Sequence, residues 1–156
     1  MATLIGDRLP QELLEALDGE ALEGKIGLTW LLFTADEDGT PRPCMLSAGE
    51  VLARDEKALR IALWPGTTTG ANLARGARVL FCHVVPGSVL YIRGPAHRIE
   101  PAAETSLDCF ELAVESVESD EHAGMPVTSG IEFAVTRDEP AQVAEAWRRQ
   151  LDPLRG

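Results

Sequence analysis

Residues 61–73 read IALWPGTTTGANL. A short apolar run, Ile61 to Trp64, stops at Pro65-Gly66, three hydroxyls follow at Thr67, Thr68 and Thr69, and a helix-like segment begins near Gly70 to Asn72. The pattern predicts a strand feeding a helix through a turn able to hold an anion. Gly66 can take backbone angles closed to other residues. The threonines offer hydroxyls, and the free N–H groups of a helix start point at the same spot. A phosphate would fit there. The same residues also suit a plain helix cap by Thr67 or Thr68, since Ser and Thr are favoured caps, so the surrounding sequence has to decide.

Outward from this turn, the chain from Ile26 to Ile99 falls into short apolar or alternating runs broken by Gly, Pro, Asp and Asn, the pattern of successive antiparallel strands. An opening strand Leu28 to Ala35 meets an acidic tight turn, Asp36-Glu37-Asp38-Gly39, and returns through Pro41, Arg42 and Pro43. A hairpin Glu50 to Trp64 leads into the Thr67-Thr68-Thr69 turn with Asn72-Leu73. Strands Arg78 to Val85 and Val89 to Ile99, the latter with Arg93-Gly94-Pro95, come next. Strands joined by turns of this spacing can pair locally and curl into a closed sheet. Before them, Leu9, Leu13, Leu14 and Leu17 predict a helix over about 10–18, with Pro10 suited to its first turn. After them, Leu107, Phe110, Val114 and Val117 form one stripe opposite an acidic face and predict an amphipathic helix over about 102–120. Alternation at Ile131, Phe133 and Val135 predicts a strand over about 130–137, and Val143, Trp147 and Leu151 predict a helix over about 139–151.

The order and spacing of the segments between Gly24 and Glu100 resemble the flavin-binding split-barrel family that includes pyridoxamine 5'-phosphate oxidase. The resemblance implies a mainly β (α+β) domain over 1–156: a six-stranded antiparallel split β-barrel of Greek-key type over about 26–99 plus 130–137, with flanking helices. It implies flavin mononucleotide (FMN) as cofactor, a homodimer with the cofactor cleft between two barrels, and flavin-dependent oxidoreductase chemistry if the chain is an enzyme. The isoalloxazine ring would lie near Met45, Leu46 and Ser47, with Trp64 a candidate to stack on it or a packing residue. The family's phosphate turn carries a hydroxyl residue, then Arg, then Lys, and these fall on Thr67, Thr68 and Thr69, with Asn72 following. Only the first matches. A further family Arg falls on Cys44, with Arg42 two residues away. The charge that neutralises the phosphate is thus absent from its usual positions, and Arg42, Arg75 and Arg78 are the arginines near enough in sequence to replace it.

Composition bounds the alternatives. With 156 residues, 45% hydrophobic and 25% charged, the chain has ordinary globular composition. A net charge of −11 argues against nucleic acid or an anionic membrane as partner, since both need a concentrated basic surface. A small-molecule ligand is expected, and no metal. Cys44, Cys82 and Cys109 have no metal-ligand spacing and indicate a cytoplasmic protein with reduced thiols. The histidines at 83, 97 and 122 form no hydrolytic signature with any serine or cysteine. Redox chemistry would therefore belong to a cofactor. Two other readings stay open: a cofactor-free or ligand-sensing dimer that has lost FMN binding, and a haem-binding split barrel using a histidine such as His83.

Overall fold

The computed structural model describes residues 1–156. It contains β1 (Thr3–Gly6), α1 (Gln11–Ala16), β2 (Trp30–Ala35), β3 (Pro41–Leu46), β4 (Val51–Asp55), β5 (Ala58–Leu63), α2 (Thr68–Ala74), β6 (Arg78–Val85), β7 (Ser88–Arg98), β8 (Asp108–Ala113), β9 (Ser116–Ser119) and α3 (Pro140–Leu151). All strand pairs are antiparallel, in the order β3-β2-β6-β7-β8-β5-β4, with β9 between β7 and β1. The two ends of this path, β3 and β4, are consecutive in sequence. Six inter-strand steps would set them about 29 Å apart in a flat sheet, whereas the chain from Leu46 to Val51 reaches at most about 18 Å. The sheet must therefore curl until its ends nearly meet, leaving a barrel split between β3 and β4.

Alternation fills the inside of that curl. Trp30, Leu32 and Thr34 of β2, Val79, Phe81 and His83 of β6, Leu90, Ile92 and Ala96 of β7, and Phe110 and Leu112 of β8 are all buried. They belong to, or border, one continuous apolar core. Each fully buried large apolar side chain contributes about 1.5–3 kcal/mol. Besides β6, the strand β7 serves two further partners, pairing β9 through Leu90 to Arg93 and β8 through Ala96 to Arg98. Gly94 marks the change of partner, because a Cβ there would lie only 1.7 Å from the Ala113 carbonyl oxygen.

The two ends of the seven-strand path are treated differently. The β4 side is covered, since the Ala53 N–H donates to the Leu17 carbonyl at 2.8 Å and the Leu9 N–H to the Glu56 carbonyl at 2.7 Å. The outer edge of β3 is open and carries Pro41 and Pro43, which lack an N–H and are tolerated where no neighbour needs one. The helix α3 starts with a capping box at Glu139 and Gln142. It lays Trp147 on Gly49, whose Cβ would come within 2.2 Å of the indole, so α3 sits over the link that joins β3 to β4.

The structure corrects three expectations. Residues 102–120 form β8 and β9 instead of a helix: Phe110, Leu112 and Val114 point inward with period two, and β8 completes the otherwise unpaired side of β5. Residues 130–137 make only one bridge, Leu28 to Glu132, because β2 beyond Trp30 is already paired on both sides by β3 and β6. The sheet accordingly has nine strands where six were expected, β1 being the other addition.

Gly94→Ala is expected to destabilise the fold by about 3 kcal/mol or more, since the added methyl overlaps backbone and not a flexible side chain. Gly39→Ala, at a turn with φ of +85° and open space, should cost only about 1–2 kcal/mol. Urea denaturation of the two variants checks the contrast.

Candidate functional site

The seven-residue helix α2 closes one mouth of the barrel, with Thr69, Gly70, Asn72 and Leu73 buried. Gly66 takes the left-handed turn at φ +78°. Thr67 is the N-cap, its Oγ1 accepting the Gly70 N–H at 3.1 Å, so the capping reading of this residue is realised. Asn72 binds the helix to the sheet. Its Nδ2 donates to Thr34 Oγ1 at 3.0 Å and to Asp36 Oδ1 at 2.9 Å, while its Oδ1 accepts from Arg75 Nη2 at 2.5 Å. Between α2 and the turn after β2 lies a groove of about 270 Å³ lined by Asp36, Glu37, Thr67, Thr68, Asn72 and Arg75.

Four of the sequence candidates gather here. Thr67, Thr68 and Asn72 line the groove, and Arg42 reaches its wall by donating from Nε and Nη2 to the Asp36 carboxylate at 2.7 and 2.9 Å. Cys44 is half-buried on β3 beside the Thr69 hydroxyl, and Thr69 itself is buried away from the groove. Met45, 65% exposed, stands on β3, while Leu46 is in the core. Ser47 is engaged with Glu50, whose Oε2 accepts from the Ser47 backbone N–H and hydroxyl at 2.6 and 2.9 Å. Trp64 is equally exposed but faces a different hollow, with Leu107, Ala146 and Arg149. The residue that sequence reading treated only as part of a turn is Asp36. Its signal lay in the hairpin register, where Thr34 pairs Arg42 and Asp36 therefore stands diagonal to that arginine.

Charge in the groove is already matched. The hydrogen bonds from Arg42, and then from Asn72, hold the Asp36 carboxyl below the usual carboxylate range, and the same contact raises Arg42. Arg75 Nη2 also donates to the Ala35 carbonyl at 2.9 Å. Burial pushes the thiols of Cys44 and Cys109 up and that of Cys82 to about 11, so none is a ready nucleophile at neutral pH. His83 lies inside the barrel, where its Nδ1 accepts the Trp30 indole N–H at 3.0 Å and desolvation lowers its pKa. No three His, Cys, Asp or Glu side chains converge as a metal site, and no helix is long and apolar enough to cross a membrane.

Comparison with known proteins places this geometry. No family model matches the chain. Protein YclD of Bacillus subtilis (strain 168), itself uncharacterized, is 32% identical over 149 residues, covering 94% of this chain and 96% of its own. Among solved structures, a candidate pyridoxamine 5'-phosphate oxidase from Lactobacillus delbrueckii superposes with a TM-score of 0.55 at 19% identity, over 75% of this chain and 98% of its own. HupZ of Group A Streptococcus gives 0.56 at 13% identity, over 81% and 99%. The fold is the split barrel of pyridoxamine 5'-phosphate oxidase-like proteins. Within it, the chain belongs to the family of YclD.

Two measurements follow from the buried histidine. His83→Ala strands the Trp30 N–H without a partner, which should cost about 1–3 kcal/mol before any cavity term. Because the folded-state pKa of His83 is lowered, its contribution is complete above the unfolded value of about 6.5 and is lost as pH falls through the folded one. Stability of the wild type should thus begin to fall just below pH 6.5, and that limb should vanish in His83→Ala. Asp36 and Asp120, both lowered, act in a separate window beneath about pH 4.

Proposed function

We propose that the protein is a homodimeric flavin-binding split barrel, with FMN-dependent oxidoreductase chemistry as its activity and a weakened phosphate site. The observation that carries this reading is the groove at the start of α2, where Thr67 and Thr68 face the turn after β2. The kinship in fold with a candidate pyridoxamine 5'-phosphate oxidase supports it. A flavin ring fits the exposed Met45 side of β3, whose backbone edge has no strand beyond it. Its tail fits the threonine hydroxyls. The phosphate fits less well, because Nε and Nη2 of Arg42 and Nη2 of Arg75 already have protein partners. A bound flavin would supply the electron or hydride transfer. The residues of this chain would hold the tail, orient the ring along β3 and limit water at the mouth through α2.

A homodimer accords with the uncovered edge of β3 and with the exposure of Met45, 65% of whose surface is free in the isolated chain. Symmetric association would bury both. The cofactor-free, ligand-sensing barrel is the second reading, and the observation that favours it is the engagement of both arginines with the protein itself.

Sedimentation at micromolar concentration is expected to give a dimer; a monomer would contradict the shared cleft. FMN should bind the wild type weakly enough to be lost in purification. Thr68→Arg, at an exposed groove position, should tighten it by at least about tenfold, with the gain shrinking as salt rises. Tight binding by the wild type would show that the existing arginines serve the phosphate after all.

A further inference from the structure

We infer that Asp36 is a built-in counter-anion that closes the α2 groove to phosphate, so that the ligand's tail there is an uncharged polyol, as in riboflavin, in preference to a phosphorylated one. This inference rests on the flavin-binding reading for the identity of the ligand, but the role of Asp36 stands on contacts within the chain.

Several donors around the groove are engaged with protein acceptors. Arg42 gives Nε and Nη2 to the two Asp36 oxygens, a two-pronged pairing that matches carboxylate geometry as well as it would match phosphate. Asn72 gives both amide hydrogens, one to Thr34 and one to Asp36. Arg75 gives Nη2 to the Ala35 carbonyl and to Asn72 Oδ1, and its Nη1 lies 3.9 Å from Glu37. A phosphate seeking the paired Arg42 Nε and Nη2 would have to displace an intramolecular carboxylate already held at close range, and would then lie next to it.

The charge count points the same way. The two carboxylates at the groove, Asp36 and Glu37, already match the two guanidiniums of Arg42 and Arg75. A dianion added to this set would find no uncompensated positive charge. Besides Nε and Nη1 of Arg75, the groove offers the hydroxyls of Thr67 and Thr68. A hydroxyl both donates and accepts, which suits the alternating needs of a polyol chain better than the acceptor-only oxygens of a phosphate. Asp36 is thereby a specificity-determining residue: it selects against charge at the end of the ligand.

Titrations of riboflavin and of FMN into the wild type and Asp36→Asn, with the stability of each protein also measured in inorganic phosphate against chloride of equal ionic strength, test this. The amide keeps an acceptor for Asn72, and Asp36→Ser serves as a second variant should the first fold poorly. The wild type is expected to bind riboflavin at least as tightly as FMN and to ignore phosphate. Asp36→Asn, with Arg42 freed, is expected to shift the ratio toward FMN by at least about tenfold and to be stabilised by phosphate. Wild-type preference for FMN by tenfold or more would overturn the inference and leave the flavin reading standing. Binding of neither flavin by any variant would remove the flavin reading, and the phosphate measurement then decides alone: no gain in Asp36→Asn or Asp36→Ser overturns the role given to Asp36.

Discussion

The five backbone steps from Leu46 to Val51 are the constraint on which the molecule turns. They tie together the two ends of a seven-strand path, and the sheet can satisfy them only by curling. Curling gives an interior for the alternating apolar residues and two mouths that need covering. The helix α2 plugs one mouth with Leu73 and Asn72, and α3 lies across the split, with Trp147 on Gly49. The groove beside α2 follows from this closure, because the helix that fills the mouth must come to rest against the turn leaving β2.

At that contact, polar groups set both structure and chemistry. Asn72 is buried, so each of its amide groups needs a partner, and Thr34, Asp36 and Arg75 supply them. The consequence reaches the surface: a carboxylate needed to satisfy a buried amide also takes Nε and Nη2 of Arg42. Stability of the mouth and rejection of a second anion are then two outcomes of one arrangement, with Asp36 serving both.

Much of the fold was legible because it is local. The strand Arg78 to Val85 appears with the expected bounds, and α3 over Pro140–Leu151 matches the helix that Val143, Trp147 and Leu151 predicted over about 139–151. What failed was non-local. Leu107, Phe110, Val114 and Val117 fit a helical stripe, yet Phe110, Leu112 and Val114 fit a strand equally well, and only the open side of β5 decides between them. The site divides in the same way. The turn from Gly66 to Thr69 and the capping threonine could be read from residue type, whereas the pairing of Asp36 with Arg42 depends on hairpin register and its link to Asn72 on the docking of α2. Thr69 and Leu46, which stand among the candidates in sequence, are buried by the same docking and the same alternation.

The most direct test of this account is to follow the Arg42 side-chain Nε–H by nuclear magnetic resonance while FMN is added to the wild-type protein. Held by Asp36, that proton should stay protected and its resonance should not move, even where backbone signals around Thr67 and Thr68 do. A shift or loss of the Arg42 signal on addition of the nucleotide, with Asp36 in place, would mean that phosphate takes this guanidinium from the carboxylate, and would contradict the claim that the chain supplies its own anion to the groove.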